Sequence, residues 1–391
     1  MIDSILIENM RSQLAQVSMK FVRYKYHEID WNLRMVGLVG PRGIGKSTLI
    51  MQRILQEKGS QTALYLSADS SYFTQHNLTE TASEFVKEGG THLYLDEIHK
   101  YPEWSRELKE IYDVHPTLKV VFTGSSILDL LKGQADLSRR AVIYHMQGLS
   151  FREYLKMFHE IDLPPLSWDK IMENRMDHLA IEHPLPLFRQ YLKEGYYPFS
   201  KEGAFSARLD QMVMQTLETD IVQYASLSIS SGRKLRRLMA IIAQSAPFKP
   251  DYTSIANTLG ISRNIVPDYL LYMERTGLIG QLRDETGGLR SLGKIEKVYL
   301  DNTNLMYALG ANQANIGNVR ETFFYNQVRV VKEIISSKVS DFVVGENTYE
   351  IGGRKKGNAQ IANVNNGYVV KDDIEYGFGK TIPLWMFGLL Y

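Results

Sequence analysis

The sequence predicts an α/β protein: an open parallel sheet with helices on both faces, then a long helical stretch, then further strands. Three observations carry this. Short β-branched runs alternate with helical stretches between residues 34 and 146, as expected of strands covered on both faces. A glycine-rich segment closed by lysine and serine joins the first such run to the helix after it, the setting of a phosphate-binding loop. From 149 to about 245 the apolar spacing is helical, and strand-like text returns at Asp341–Val344.

Taken in order, spaced apolar residues from Ile5 to Phe21 predict a leading helix within 5–30. Strands are expected at Met35–Gly40, Thr62–Ser67, Thr91–Leu95, Leu118–Thr123 and Ala141–His145. The helical stretch is broken by Gly195-Tyr196-Tyr197-Pro198, and residues 233–285 read as three short helices and a hairpin. A helix over Arg320–Ile335 then precedes strands around Asp341–Val344, Thr348–Ile351 and Gly367–Val370.

A chain of 391 residues is too long for one core, so several domains are expected. Hydrophobic residues at 44% and charged residues at 23% are the balance of a soluble globular protein. No apolar run approaches the ~20 residues that span a bilayer, and the N-terminus carries no basic segment ahead of an apolar one. No membrane partner or secretion signal is therefore expected. Cysteine is absent, which excludes disulfides and thiolate metal sites and suits a cytoplasmic location. Lysine plus arginine (45) nearly cancels aspartate plus glutamate (44), so nucleic-acid binding would need a local patch.

Gly40-Pro41-Arg42-Gly43-Ile44-Gly45-Lys46-Ser47 matches G-x-x-x-x-G-K-[ST] in full, with Thr48 opening the helix. Glycines let successive backbone N–H groups face a polyphosphate, and the helix aims its positive end at the same anion. Lys46 would neutralise the β- and γ-phosphates, and the Ser47 hydroxyl would complete a Mg²⁺ shell. The strand ending in Asp96-Glu97 supplies the acids such a site needs. Asp96 is assigned to Mg²⁺ and Glu97 to the catalytic base. The strand through Phe122 and Thr123 ends in Gly124-Ser125-Ser126. Ser126 would lie beside the γ-phosphate and sense it, or these serines simply cap the next helix. Arg140, after Leu137-Ser138-Arg139, belongs to a solvated loop or stabilises phosphoryl-transfer charge in a neighbouring subunit. The second role is the one assigned to it, and it would require a homo-oligomer, a state the sequence allows without fixing it.

These motifs resemble those of the prokaryotic AAA+-related P-loop ATPases that carry a C-terminal nuclease-like domain of unknown function. The matching text is Gly40–Ser47, Leu95-Asp96-Glu97-Ile98-His99, Phe122–Ser126, Leu137–Arg140 and Gly148-Leu149-Ser150-Phe151-Arg152-Glu153-Tyr154. Gly195–Pro198 and Val298-Tyr299-Leu300-Asp301-Asn302-Thr303 follow. The resemblance implies an ATPase domain over 1–147 with its phosphate-loop strand at the centre of the sheet. It further implies a helical lid over 148–230, a winged-helix domain over 231–290 and a restriction-endonuclease-like domain over 291–391. It also implies ATP as the nucleotide.

Ser254–Arg263 reads as helix, glycine turn and a second helix capped by Ser262, with Ile265, Leu270, Leu271 and Met273 toward a core. The second helix offers Arg263 and Asn264 but also Asp268 and Glu274, and the nearest basic cluster is Arg233, Lys234, Arg236 and Arg237. The module would contact DNA phosphates or dock on a protein. Nucleases of the PD-(D/E)xK fold hold metal with an acid on one strand and E-x-K on the next. Asp341 and Glu350 supply the acids, with Glu321 as a third, but Gly352 stands at the lysine position. Arg354, Lys355 or Lys356 would have to replace it, so a degenerate fold kept for binding or assembly is the favoured reading. The nine histidines show no metal-ligand spacing. The expected protein is thus an ATP-driven switch or motor, with an ATP-gated DNA nuclease and a slowly hydrolysing scaffold as the alternatives.

Overall fold

Five apolar runs of the first part of the chain pair side by side: β1 (Met35–Val39), β2 (Ala63–Ser67), β3 (His92–Asp96), β4 (Lys119–Gly124) and β5 (Val142–His145). They form one parallel sheet in the order β2-β3-β4-β1-β5. The computed structural model describes residues 2–57, 62–124, 137–175, 180–285, 293–310 and 314–391. The chain divides into two compact units, Met1–Gln147 and Gly148–Tyr391.

In the first unit β1 is buried along its length and lies between β4 and β5, so β4 and not the phosphate-loop strand holds the middle of the sheet. The edge strand β5 is half exposed. A Cβ at Gly37 would stand 2.5 Å from Ile143 Cδ1 and 2.7 Å from Phe122 Cε2, so the side chains of both flanking strands close over β1 there. Helices Lys46–Gln56, Leu78–Lys87 and Trp104–Val114 bury one face each, through Leu49, Ile50 and Ile54, Leu78, Ala82 and Phe85, and Trp104, Leu108 and Ile111. Each of the leucine, isoleucine and phenylalanine side chains contributes roughly 1.5–3 kcal/mol against exposure. The leading helix is shorter than its apolar spacing predicts. It runs Ser4–Leu14 from an Asp3 cap, and after it the chain is irregular to Lys25–Glu28. Gln52 explains the break, because its Nε2 donates to the backbone carbonyls of Ser18 and Phe21, both at 2.8 Å. A continuing helix would have used those carbonyls itself.

The second unit begins with helices, among them Phe151–His159, Pro184–Glu194, Phe205–Gln215 and Ile229–Ser245. Phe151, Phe188, Tyr191 and Phe323 meet in its core at centroid separations from 4.8 to 6.0 Å. Helices Tyr252–Leu259 and Ile265–Arg275 lead into an antiparallel hairpin of β6 (Ile279–Arg283) and β7 (Ile295–Leu300), and Phe248 bridges Val298 beside it. The helix expected to be capped by Ser262 starts from Asn264 with no side-chain cap. Its Ile265 is exposed and Leu271 half-buried, while Val266, Tyr269, Leu270 and Met273 are buried.

The closing sheet has the order β12-β11-β10-β9-β8. Strands β8 (Ile334–Ser336), β9 (Phe342–Val344) and β10 (Asn347–Gly352) are antiparallel, and β11 (Gly367–Lys371) and β12 (Thr381–Pro383) continue parallel. The helix expected at Arg320–Ile335 is Ile316–Val328, and Ile334 and Ile335 belong to β8. Every residue from Thr322 to Val328 is buried. A helix buried all round has no apolar stripe to mark where it stops.

Candidate nucleotide-binding site

Because β3, β4 and β1 are neighbours and parallel, their carboxyl ends stand in a row, where open α/β sheets bind ligands. The phosphate loop leaves β1 at that edge. Gly43 (φ 74°) and Gly45 (φ 94°) are left-handed, a conformation that other residues adopt only with strain. A Cβ at Gly40 would lie 2.3 Å from the Met146 carbonyl oxygen, so the loop packs directly on the chain leaving β5. Helix Lys46–Gln56 starts inside the motif from Gly45, which brings no side-chain cap. Its first N–H groups therefore have no side-chain cap to accept from them, as in helix starts that bind an anion.

Lys46 is buried, and its Nζ donates to the carbonyls of Gly40 (2.9 Å) and Pro41 (2.7 Å). Burial pushes its pKa down to about 8, Glu97 and Asp96 oppose the shift, and Arg42 adds to it. The ammonium thus stands within the field of both acids. Of the other loop residues, Pro41 and Ile44 are buried, Arg42 and Ser47 half-buried and Thr48 exposed.

Asp96 is buried at the end of β3. Its Oδ2 accepts from the Tyr65 hydroxyl on β2 at 2.8 Å, and its Oδ1 accepts from the Thr123 hydroxyl on β4. Burial and then Asp96 hold the Tyr65 phenol protonated, far above its ordinary range. Glu97 is left-handed at φ 51° and ψ 38°, which costs a non-glycine residue about 1 kcal/mol or more. Its N–H donates to Thr123 Oγ1 at 3.2 Å. One hydroxyl therefore fixes both members of the acid pair. His99 Nε2 approaches Glu97 Oε2 at 3.6 Å. Burial, with Lys100, Arg42 and Lys46 nearby, lowers the His99 pKa to about 3, so the contact joins a carboxylate to a neutral imidazole.

The structure brings the loop, Lys46, Asp96 and Glu97 together. Arg140 instead binds Asp113 through Nε and Nη2, both at 2.9 Å. Ser126 lies outside the described residues. Sequence reasoning missed Tyr65, Thr123 and His99. Thr123 and His99 stood inside runs that attracted notice, whereas Tyr65 carried no signal beyond its place on a strand.

In the second unit Glu321, Asp341 and Glu350 also converge, but protein donors occupy them. Lys297 Nζ lies 3.0 Å from Glu321 Oε2 and 3.9 Å from Asp341 Oδ1. The Tyr299 hydroxyl donates to Glu321 at 3.0 Å, and the Ile351 N–H donates to Asp341 at 2.8 Å. Glu350 is bound by Lys356 and Ser340. Lys356 is the residue that answers for Gly352: a Cβ at 352 would stand 2.4 Å from Lys356 Cγ. Burial, then Glu321, pushes Asp341 up to about 6. Three carboxylates already engaged by two ammonium groups, two hydroxyls and an amide do not fit a divalent cation. Among the described residues no group of three acidic or histidine side chains is placed to hold one.

On helix Ile265–Arg275 Asp268 is exposed, but Glu274 turns inward to Arg283 (3.0 Å) and Gln281 (2.8 Å) and so does not face a partner. In the basic cluster Arg236 faces Glu218 at 3.7 Å and Arg237 donates to the Thr258 carbonyl at 3.1 Å. Among the described residues no helix is long and apolar enough to cross a membrane.

Residues 32–155 match the family described as AAA domain, and residues 185–316 match one described as a domain of unknown function (DUF8612). The part of the chain that holds the phosphate loop is therefore an AAA-related P-loop ATPase domain. A relative from Methanocaldococcus jannaschii, uncharacterized protein MJ1637, is 26% identical over 280 residues, which is 65% of this chain and 58% of that protein. The match thus spans little more than half the relative's length. Among solved structures, the Walker-type ATPase paby2304 of Pyrococcus abyssi is similar at a TM-score of 0.39 and 12% identity, over 79% of this chain and 96% of that one. AMPPCP-bound DnaA from Aquifex aeolicus is similar at 0.29 and 12% identity, over 68% and 86%.

Proposed function

We propose that the chain binds ATP in the loop Gly40–Thr48, hydrolyses it, and uses the cycle to switch the effector half that follows. The observation that supports this best is the meeting of a phosphate loop with an acid pair whose two members share one hydroxyl, that of Thr123. Ser47 and Asp96 are the residues that would hold Mg²⁺, which when bound offsets phosphate charge. Lys46 exchanges the carbonyls of Gly40 and Pro41 for β- and γ-phosphate oxygens. Glu97 accepts the proton of the attacking water, and the neutral His99 beside it leaves its charge intact. Arg140 reaches a neighbouring subunit's phosphates after releasing Asp113, which makes the working form a homo-oligomer.

Helices Ile229–Ser245, Tyr252–Leu259 and Ile265–Arg275 with the β6-β7 hairpin follow the order of a winged helix. Asp268 on its exposed face and the engagement of Arg236 and Arg237 favour a protein partner over DNA. The C-terminal sheet is a binding or assembly element and does not cut nucleic acid, because Lys297 and Lys356 close its acids. A cysteine-free chain is suited to the cytoplasm.

The test is Mg²⁺-dependent ATP turnover by the wild type, Lys46→Ala and Glu97→Gln, with and without duplex DNA. Lys46→Ala should lose nucleotide binding. Glu97→Gln should bind ATP yet turn over roughly 10²–10⁴-fold more slowly. Turnover that survives Glu97→Gln would remove the assigned base, and stimulation by DNA would reverse the choice of partner.

A further inference from the structure

Arg23 precedes the region matched to the AAA family and lies in the irregular segment whose carbonyls Gln52 holds. It is nevertheless among the few buried charges of the first unit, 4% exposed. Its Nη1 donates to the carbonyl of Ile44 at 2.5 Å, and its Nη2 donates to the carbonyl of Gln147 at 2.7 Å. Ile44 sits inside the phosphate loop, and Gln147 is the last residue of the first unit. A guanidinium reaches two carbonyls from two separate nitrogens, a fork that the single nitrogen of an ammonium lacks.

The geometry of the peptide bond gives this contact a consequence. In a planar trans peptide the C=O of Ile44 and the N–H of Gly45 point in opposite directions. A cation held on the oxygen fixes that plane and turns the Gly45 N–H away from Arg23. It also polarises the amide, and so strengthens the N–H as a donor. The other end of the connection is equally tight. Met146 N–H donates to the Val39 carbonyl at 2.8 Å, and the Met146 carbonyl lies against Gly40. The entrance and the middle of the phosphate loop are thus both tied to the last residues of the unit.

We infer that Arg23 is a positioning residue that orients the Ile44–Gly45 peptide toward the nucleotide phosphates and couples it to Gln147. Filling the loop is then felt where the first unit ends. The inference rests on the nucleotide reading of the loop and assigns to the segment ahead of the AAA region a part in its regulation.

The experiment uses the full chain with Arg23→Gln and Arg23→Lys, MgATP affinity by calorimetry, and amide hydrogen exchange of residues 144–149 at saturating MgATP. Loss of a charge-assisted hydrogen bond should weaken MgATP binding by Arg23→Gln by about 10- to 100-fold. The exchange change that MgATP produces at 144–149 in the wild type should vanish. Arg23→Lys keeps the charge and secures a folded comparison. It should bind more tightly than Arg23→Gln yet lack the exchange response, having lost the fork. A merely structural arginine would lower the melting temperature and leave the affinity of the folded protein unchanged. MgATP affinity within twofold of the wild type in both variants, or an unaltered response at 144–149, overturns this inference alone. A wild type that binds no MgATP overturns it together with the nucleotide reading.

Discussion

Replacing His99 by glutamine should flatten part of the acid sensitivity of the protein, by an amount the site fixes. His99 has a native pKa of about 3 against an ordinary value of 6.5, because burial and the cations Lys100, Arg42 and Lys46 oppose its protonation. Between these values the unfolded chain takes up a proton that the native chain refuses. The stability conferred by the neutral ring is therefore complete above pH 6.5 and is lost progressively as pH falls toward 3. Each unit costs about 1.4 kcal/mol, so about 1.4 kcal/mol is gone at pH 5.5 and about 3 kcal/mol at pH 4.5. That is a large share of a typical stability of ~5–15 kcal/mol. Urea unfolding of wild type and His99→Gln at pH 7.5 and 5.5 isolates the effect, since His92, His145 and His159, whose pKa values are also lowered by burial, are present in both. The wild type should lose about 1.4 kcal/mol more than the variant over that interval. Equal losses would show that His99 titrates normally. The ring would then be charged below pH 6.5 and paired with Glu97, and the claim that a neutral neighbour preserves the base would fall.

Two further outcomes follow from the ion pairs. Lys297→Met strands Glu321 and Asp341 without their ammonium; with Lys297 32% exposed and the acids 19% and 18%, the cost should fall between surface and buried pairs, about 1–3 kcal/mol. Urea unfolding should show it, and adding Glu321→Gln should recover part of it; a neutral single substitution would refute the reading of this centre as closed by lysine. For Arg140, mixing Arg140→Ala with Lys46→Ala chains should restore turnover that neither has alone, because one intact site can then borrow the other chain's arginine. No recovery in a mixture shown by cross-linking to co-assemble would assign Arg140 to the surface pair with Asp113.

The legible parts of this molecule are those in which one local constraint dominates. The parallel strands were visible because each is a short apolar run, all but the edge strand β5 buried on both faces, and Gly40–Ser47 because its φ angles and its lysine leave little choice of residue. The acids Asp96 and Glu97 were visible by position alone. What was hidden depends on contacts distant in sequence. Tyr65 and Thr123 matter because β2 and β4 flank β3, and nothing in their own segments records that order. The place of β1, one strand away from the centre, is likewise set by pairing and not by composition. The end of helix Ile316–Val328 was missed because its second half, Thr322–Val328, is buried all round. The sequence exposed the vacancy at Gly352 but left three candidates to fill it. The stem of Lys356, crossing the place of a side chain at 352, selects one.

The bonds at Asp96 and Glu97 set the two adjacent acids in different surroundings. Both oxygens of Asp96 already accept from hydroxyls, Tyr65 on one side and Thr123 on the other. If Asp96 is a residue that holds Mg²⁺, as proposed, a carboxylate so engaged would do so most readily through water, because that ion parts reluctantly with its water shell. Glu97 follows in sequence but not in environment. Its left-handed backbone breaks the strand's direction at that residue, and its partner among the imidazoles is neutral. The cation that both acids share is Lys46, whose ammonium stands within their field. The two adjacent acids thus differ in surroundings: the side chain of Asp96 is held by two hydroxyls, while Glu97 meets the Thr123 hydroxyl at its backbone and His99 at its side chain. Thr123, bonded to the side chain of the first and the backbone of the second, ties the two together.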